Sequence, residues 1–206
     1  MGISLMASGL RERGKTKRRT AIIRAAHELF GERGYAATTI ADIAERAEVA
    51  PRTVTGYFPS KEEIALVRFT EAADRLAHAF RNHKPDESAL DVLTAWLLSK
   101  HDSDDPDGIR ALTRRMYKTN PNLRALRAAR MEEAVALGAE ALAKELGISP
   151  GDITARIASA AAAAIAIDIL DNTPDDELDD AVATVRVFLQ AGLGALTARR
   201  RGGEST

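Results

Sequence analysis

The sequence contains no cysteine and no long uninterrupted apolar run. Without cysteine, the chain can form neither a disulfide nor a thiolate metal site. The longest apolar run, Ile157–Ile167, lies between Arg156 and Asp168. It is well short of the roughly 18 residues that cross a bilayer. The first ten residues also lack the apolar core of a signal peptide. We therefore expect no membrane segment.

The chain also lacks the local patterns that mark catalytic and metal sites. It has no Gly-rich phosphate loop and no Gly-x-Ser-x-Gly motif, and His27 is not followed by the second histidine of a zinc-binding His-Glu-x-x-His motif. The acidic segment 102–107 does not fit a calcium loop. If Gly108 takes the sixth loop position, Ser103 stands first and Arg114 twelfth. These absences predict a protein that is not an enzyme and uses neither metal nor cofactor.

Proline, glycine, asparagine and aspartate divide the chain into about nine helices, and no segment has the pattern of a convincing strand. We therefore predict an all-α protein. The first helix is expected at about Thr16–Arg33, with two short helices between residues 38 and 58. The later helices are expected at about residues 60–82, 87–100, from 106 after a cap at Asp105, 121–147, 150–171 and 174–199.

The segment Thr38–Lys61 has the layout of a helix-turn-helix. Thr39 and Asp42 form a capping-box pattern at the start of its first helix. Residues 48–50 then form the turn. Pro51 suits the first position of the second helix, because proline has no amide hydrogen to leave unpaired there. The second helix is the one that would enter the major groove of DNA.

The faces of this second helix follow from a rotation of about 100° per residue. Setting Val54 inward places Phe58 and Pro51 on the inner side. Arg52 and Gly56 then point almost directly away. The flanks and edge of the outer face carry Thr53, Thr55 and Tyr57.

The residue types on the outer face suit contacts with bases and phosphates. An arginine at position 52 can bond bidentately to guanine O6 and N7, and Thr55 can touch a thymine methyl group or a phosphate. Gly56 has two interpretations. It either leaves room for the backbone to approach the groove, or it only loosens the end of the helix.

The chain has a formal net charge of −1, but the charge is unevenly divided. Residues 1–60 hold ten Lys and Arg against six Asp and Glu, a net of +4, whereas residues 61–206 have a net of −5. A dense basic cluster precedes the helix-turn-helix: Arg11, Arg13, Lys15, Lys17, Arg18 and Arg19. Such a cluster is either a solvated tail or an arm that follows phosphates. Its neighbourhood favours the arm.

These residues resemble the DNA-binding signature of TetR-type transcriptional regulators over about residues 17–65. The matching positions are Thr39, Ile43, Ala44, Ala47, Val49, Thr53, Val54, Tyr57, Phe58, Ser60 and Lys61. The resemblance implies an all-helical homodimer. Its N-terminal domain would be a three-helix helix-turn-helix unit, and its C-terminal domain would bind an effector and dimerise. We place these domains at residues 1–60 and 61–206.

The resemblance also implies what the protein does. TetR-type regulators are mostly cytoplasmic repressors that bind a palindromic operator in double-stranded DNA and leave it when a small-molecule effector binds. By position in the motif and its basic flank, the expected DNA contacts are Lys17, Arg18, Thr38, Thr39, Pro51, Arg52, Thr53, Thr55, Gly56, Tyr57 and Lys61.

Three positions depart from the family pattern. Glu48 stands where the family usually has glycine, which predicts a strained or more open turn. Ala50 replaces a serine cap, so its side chain accepts no hydrogen bond at the helix start. Thr55 replaces a common tyrosine, which puts one phosphate contact in doubt. Together these departures suggest that the chain has an operator sequence of its own.

The predicted dimer element consists of the helices at about residues 150–171 and 174–199. The first is apolar nearly all round over its middle, and the second carries two apolar stripes. One stripe would face the protomer's own core and the other a partner chain, giving the two-fold symmetry that a palindrome requires. The alternative is an ordinary buried helix pair in a monomer.

The helices between these two regions are expected to hold the effector. The candidate residues are Phe69, Trp96, His101, Met116, Tyr117, Arg130 and Met131. The apolar ones would line a pocket and the polar ones would meet a polar or anionic group, although such residues at helical spacing are also ordinary core. The segment 114–133 has a weak likeness to regulators of acyl-CoA-like ligands.

Two other functions remain open: an all-helical sensor or carrier without DNA binding, and a helical enzyme without a local motif.

Overall fold

The computed structural model describes residues 2–99, Asp105 and residues 108–203. Every regular element among these residues is a helix, which confirms the predicted all-α class. A short 3-10 turn, Asp175–Glu177, precedes the last helix. The helices are α1 (Gly2–Arg33), α2 (Ile40–Arg46), α3 (Pro51–Tyr57), α4 (Lys61–Arg81), α5 (Ala89–Leu98), α6 (Ile109–Thr119), α7 (Pro121–Leu146), α8 (Ile153–Asn172) and α9 (Leu178–Gly203).

The chain divides into two compact units. The first, here called the head unit, comprises Met1–Arg68 together with Asp105–Arg127. The second, here called the body unit, comprises Phe69–Asp104 together with Ala128–Thr206. The head unit is larger than the predicted residues 1–60, because it includes the start of α4 and all of α6.

Helix α1 begins at Gly2 rather than at the predicted Thr16. The added residues contain no proline and are rich in the helix formers Leu, Met, Arg and Lys, so nothing stops the helix before the basic cluster. The cluster that we expected to be an arm preceding the first helix is therefore part of that helix. Its charges accordingly lie at fixed positions along one rod.

The core of the head unit is built from aliphatic and aromatic side chains of α1, α2, α3 and α4. The largest side chains that are fully buried there include Ile22, Phe30, Ile43, Val54, Ile64 and Leu66. Phe30 also meets Tyr35 edge to face, with ring centroids 5.2 Å apart. Because these side chains come from both sides of the turn, α2 and α3 are held as one body on α1.

Two polar side chains join α6 to the rest of the head unit. The ring of His27 lies 3.1 Å through Nε2 from the carbonyl of Ile64 and 3.0 Å through Nδ1 from the hydroxyl of Thr113. Asn120, which caps the end of α6, donates from Nδ2 to the carbonyl of Phe30 at 2.9 Å and accepts from the amide of Tyr35 at 2.7 Å. The end of α1 is therefore hydrogen-bonded to the end of α6.

Helix α6 starts at Ile109 rather than at the predicted residue 106, with Gly108 as its N-cap in the left-handed region at φ 62°. The predicted capping role of Asp105 is confirmed. Its carboxylate accepts from the amides of Ile109 at 3.1 Å and Arg110 at 2.9 Å. The glycine supplies the backbone conformation that lets the aspartate reach back over the helix start.

In the body unit, α5 is fixed at both ends and along one side. Ser88 and Asp91 form a complete capping box at its start. Further along, the indole nitrogen of Trp96 donates to the carbonyl of Ala72 at 3.0 Å. Arg186 of α9 bonds to Asp91 at 2.5 Å and to Thr94 at 3.2 Å. Helix α5 is thus tied to both α4 and α9.

Helices α8 and α9 leave much of their apolar surface uncovered. By length and composition alone both could cross a membrane, with mean hydropathy 1.7 and 1.4 over their best 18-residue windows. The sequence analysis predicted no membrane segment because it considered only uninterrupted apolar runs. Isolated polar residues interrupt those runs without making the two helices polar overall. Only 22% and 11% of those windows are buried within the chain. The exposed large side chains on the two helices are Ile153, Ile157, Val187, Phe188 and Leu196.

Candidate DNA-binding site

The predicted helix-turn-helix is formed by α2 and α3, and its first capping box is complete. The hydroxyl of Thr39 accepts from the amide of Asp42 at 3.2 Å, and the carboxylate of Asp42 accepts from the amide of Thr39 at 2.7 Å. The guanidinium of Arg33 lies 2.5 Å from the same carboxylate. Arg33 and then Thr39 hold the pKa of Asp42 well below its usual range. The carboxylate therefore remains ionised, and the cap stays formed, at neutral pH.

The turn between the helices has the strain that its sequence predicted. Glu48 has φ 54°, and among the described residues it is the non-glycine residue in the left-handed region. This conformation costs an L-amino acid roughly 1–2 kcal/mol, whereas glycine adopts it freely. The backbone requirement explains why glycine is usual here. Ala50 supplies no side-chain cap to α3, as expected.

Helix α3 buries one face and exposes the face that we predicted would read DNA. Val54 is fully buried and Phe58 is 4% exposed, while Arg52, Thr55 and Gly56 are exposed. Pro51 is exposed too, which corrects its predicted inward position, because the first residue of the helix projects beyond the packed turn. The flanking residues Thr53 and Tyr57 are both half-buried at the edge of this face.

The open space around Gly56 bears on the two interpretations of this residue. A Cβ atom built at Gly56 would meet no atom within 4 Å. The protein's own packing therefore does not require glycine at this position. A requirement for glycine would have to come from a molecule outside the chain, or from the ending of the helix.

Two basic side chains of α1 lie against the end of α3. Arg18 donates from Nε to the hydroxyl of Tyr57 at 3.3 Å, and the guanidinium of Arg19 lies over the ring of Phe58, 5.3 Å from its centroid. Lys17 is exposed nearby in sequence on the same helix. The structure thus brings together the predicted contacts Arg18 and Tyr57.

Two residues predicted to contact DNA have internal partners instead. Thr38 is 1% exposed, and its hydroxyl donates to the carbonyl of Gly34 at 2.9 Å. Lys61 donates from Nζ to the carbonyls of Tyr35 at 2.7 Å and Thr38 at 2.8 Å. Its ammonium also lies 4.3 Å from the centroid of the Tyr35 ring. The burial of Thr38 corrects its predicted contact with DNA. Lys61 is half-buried and holds the loop between α1 and α2, and its predicted contact with DNA stays a prediction.

A surface ion-pair cluster that the sequence did not suggest joins α2 to α1. Arg46 lies 3.1 Å from Glu28 and 3.2 Å from Glu32. The hydrogen bond from Arg46 is the main cause that lowers the pKa of Glu32. The two acids are one turn apart on α1, so a single arginine spans both. This places α2 in a defined register on α1.

The predicted effector residues do not converge on one site. Trp96 is a core residue whose indole is bonded to Ala72, and Phe69 is also buried. Met116 and Tyr117 are buried in the head unit, where the Tyr117 hydroxyl donates to the carbonyl of Ala65 at 3.2 Å. Arg130 is half-buried on α7. His101 lies outside the described residues.

Met131 is the exception, because it lines a cavity in the body unit. This cavity has a volume of about 210 Å³ and is bounded by α4, α5, α7, α8 and α9. Most of its walls come from residues that sequence reasoning did not select. They include Leu76, Leu93, Gly138, Ala161, Phe188 and Gly192. The only available signal was the spacing of small residues in α7, α8 and α9.

Comparison with known proteins identifies a family signature within the head unit. Residues 22–67 match the bacterial regulatory proteins of the tetR family. The transcriptional regulator TcmR of Streptomyces glaucescens, described as helix-turn-helix type, is 38% identical over 86 residues, which is 42% of this chain and 38% of that protein. The match thus spans well under half of this relative's length.

Solved structures share the fold of the whole chain. Salmonella enterica GusR superposes with a TM-score of 0.61 at 20% identity, covering 86% of this chain and 95% of its own. Thermus thermophilus FadR, a TetR-family transcriptional repressor in complex with lauroyl-CoA, gives a TM-score of 0.53 at 23% identity, with 84% and 93% coverage. Residues 22–67 therefore carry the signature of the bacterial regulatory proteins of the tetR family, and the chain shares its all-helical fold with a solved TetR-family repressor.

Proposed function

We propose that the protein is a cytoplasmic transcriptional regulator that binds duplex DNA through α3 and releases it in response to a small molecule. The observation that carries this proposal is the outer face of α3. Arg52, Thr55 and Gly56 are exposed together on a helix whose opposite face is anchored by Val54 and Phe58. A side chain that must reach base edges has to be exposed on a fixed support, and this arrangement provides both.

The charge distribution supports contact with phosphates. Residues 1–60 carry a net charge of +4, and the exposed cations of α1 lie on the helix that packs on α3 through Arg18 and Arg19. Neutralising phosphates releases counterions, so affinity should fall with rising salt at a slope of about −0.9 per phosphate contacted. In this proposal Arg52 contacts a base edge. Lys17 and Arg18 contact the phosphate backbone of the DNA and so position α3.

We further propose that two copies of the chain associate through α8 and α9. Val187 and Phe188 are 68% and 66% exposed, and Ile153 and Ile157 are 65% and 61% exposed. Large apolar side chains concentrated on two neighbouring helices mark a protein interface in an otherwise polar surface. A two-fold dimer would present two copies of α3 to half-sites of a palindrome about 34–36 Å apart.

The response to a small molecule follows from differential binding. An effector shifts the protein off DNA only if it binds the DNA-incompetent state better, typically by about 1–3 kcal/mol. We propose that it binds in the body unit and displaces α4, whose first turns belong to the head unit. The ligand-bound FadR, a TetR-family repressor with the same fold, supports both the repressor assignment and an effector.

Selection of bound sequences from a random duplex pool tests the DNA-binding proposal directly. We expect a palindrome with half-sites about one helical turn apart. On the selected duplex, Arg52→Ala should cost about 1–3 kcal/mol and relax preference at one base position. Arg75→Ala, at an exposed arginine of α4 in the body unit, is the matched control. An affinity independent of salt would instead identify a sensor or carrier without DNA binding.

Sedimentation of the whole chain tests the dimer. Val187→Asp places a charge on the exposed apolar face of α9 and should convert the dimer to a monomer, because an unpaired charge is costly to bury. Gln190→Asp, at an exposed polar position of the same helix, should leave the dimer intact. A dimer that persists in Val187→Asp would place the interface elsewhere.

A further inference from the structure

The cavity of the body unit is large enough for a small organic molecule. Its volume of about 210 Å³ exceeds the ~150 Å³ of an apolar protein cavity that takes up benzene. Side chains from five helices converge on it, among them Leu76 of α4, Leu93 of α5, Met131 of α7, Ile157 of α8 and Leu189 of α9.

The lining of the cavity favours contact with uncharged groups of a ligand. Among the described residues that line it, none carries a charge. The polar side chain in the lining is that of Ser159, and its hydroxyl already donates to the carbonyl of Val135 at 2.8 Å. A charged group placed against this lining would lose its hydration without gaining a partner, which is strongly unfavourable.

The lining extends beyond the helix faces proposed for the dimer. Phe188 is 66% exposed at the rim of the cavity, where a second copy of the chain can cover it. Leu76, Leu93 and Met131 line the cavity from three other helices and are buried.

Two glycines that line the cavity differ in the room around them. Gly138 lets α7 approach closely, because a Cβ there would lie 2.8 Å from the hydroxyl oxygen of Ser159 and 3.2 Å from the ring of Phe80. Gly192 of α9 also lines the cavity, but a Cβ there would meet nothing within 4 Å. A side chain can therefore be added at position 192, on the lining of the cavity, without its Cβ meeting another atom.

We infer that this cavity binds an uncharged apolar small molecule, an aliphatic chain or an aromatic ring, and that this molecule is the effector. The statement that this molecule is the effector rests on the proposed function. The binding chemistry itself depends only on the lining. Because that lining offers no unoccupied polar group among its described residues, affinity comes from apolar area removed from water.

Fluorescence titration of the full-length protein with the neutral probe N-phenyl-1-naphthylamine tests the site. The parent protein should bind the probe, and Gly192→Leu should weaken binding by about tenfold or more, because the new side chain takes up the apolar volume. Gly194→Leu is the matched control. Position 194 also lies on α9, where an added Cβ would meet nothing within 4 Å, but it is outside the lining. Leucine is a better helix former than glycine, so both variants should fold.

Competition distinguishes the chemical class of the ligand. 1-Octanol should displace the probe, whereas octanedioate, which carries a charge at each end, should not. Equal displacement by both compounds would overturn the assignment of an uncharged ligand. Unchanged probe affinity in Gly192→Leu would overturn the site. If that variant also lost the dimer in sedimentation, the cavity would belong to the dimer interface.

DNA affinity measured in the same samples separates this inference from the proposed function. One outcome is that Gly192→Leu blocks probe binding while the probe leaves the DNA affinity of the parent protein unchanged. That result would support the assigned ligand class and refute ligand-controlled release of DNA. If salt-dependent DNA binding is present but the parent does not bind the probe, the inference fails and DNA binding stands. Release of DNA by the probe in the parent and not in Gly192→Leu supports both.

Discussion

The stability of the protein should fall in mild acid because of one buried histidine, His27. The side chain is fully buried among α1, α4 and α6. A carbonyl cannot donate, so Nε2 must carry the hydrogen that bonds to the oxygen of Ile64. In the neutral ring Nδ1 carries no hydrogen and lies 3.0 Å from the hydroxyl oxygen of Thr113, whose own hydrogen is donated to the carbonyl of Ile109 at 2.8 Å. A proton added to Nδ1 would place a positive charge in a fully buried site, where the charge of Arg68 also disfavours it.

The size of the effect follows from the pKa of His27, which is lowered from 6.5 to about 4, first by burial. The carbonyl of Ile64 opposes the shift and the charge of Arg68 adds to it. On acidification the unfolded chain therefore gains a proton first. Stability is complete above about pH 7 and falls as the pH drops through 6.5 towards 4. At 1.36 kcal/mol per pH unit the total loss is about 3 kcal/mol, of which roughly 2 kcal/mol is lost between pH 7.5 and 5.

Urea unfolding followed by circular dichroism at pH 7.5, 6 and 5 measures this loss. Carboxylates in the unfolded chain titrate near 3.9–4.3, so this window isolates the histidines. The variant His27→Gln has no proton to gain, and its free energy of unfolding should change by less than about 0.5 kcal/mol over the window. His78→Gln, at an exposed histidine of α4, is the matched control and should keep the dependence of the parent.

Two results would refute the reasoning. One is a parent protein whose free energy of unfolding is the same at pH 7.5 and pH 5, which would mean that the His27 ring takes up its proton equally well in the folded state. The other is a His27→Gln variant that keeps the slope of the parent, which would assign the acid sensitivity to another group.

Three further substitutions test the head unit. Glu48→Gly should raise the free energy of unfolding by about 0.5–1 kcal/mol, because φ 54° favours glycine; a loss of stability in urea unfolding would contradict this. Gly56→Ala should also stabilise α3, by about 0.5–1 kcal/mol. If DNA lies close to the backbone at position 56, the same variant should bind the selected duplex more weakly. Unchanged DNA affinity would mean that Gly56 only loosens the end of the helix. Lys61→Met removes the hydrogen bonds to the carbonyls of Tyr35 and Thr38 and should lower the free energy of unfolding by about 1–3 kcal/mol. If Lys61 instead contacts a phosphate, the variant should keep its stability and show a weaker dependence of DNA affinity on salt.

The helix-turn-helix could be predicted because its signals are local. The capping box of Thr39 and Asp42, the proline at the start of α3 and the inward position of Val54 each depend on neighbours within a few residues. The burial of Thr38 and the position of Lys61 could not be predicted in the same way. Their partners are carbonyl groups of the loop between α1 and α2, and that loop conformation depends on packing.

The cavity was beyond sequence reasoning for a different physical reason. The sequence prediction selected large and polar side chains, whereas small residues on several helices also line the cavity. Gly138, Ala161 and Gly192 lie on three helices, and only tertiary packing shows that they face the same point. The predicted aromatic residue Trp96 fills core instead, because its indole finds a backbone acceptor at Ala72.

The membership of α6 in the head unit changes how an effector could act on DNA binding. Without α6, the buried ring of His27 would lose Thr113, and the carbonyl of Phe30 would lose Asn120, so α6 and α1 must move together. Helix α7 follows Asn120 directly, begins in the head unit and contributes Met131 to the cavity wall. Helix α4 likewise begins in the head unit and contributes to that wall further along. Under the proposed function, a molecule that widens the cavity would act on two continuous helices, α4 and α7, whose first turns belong to the head unit.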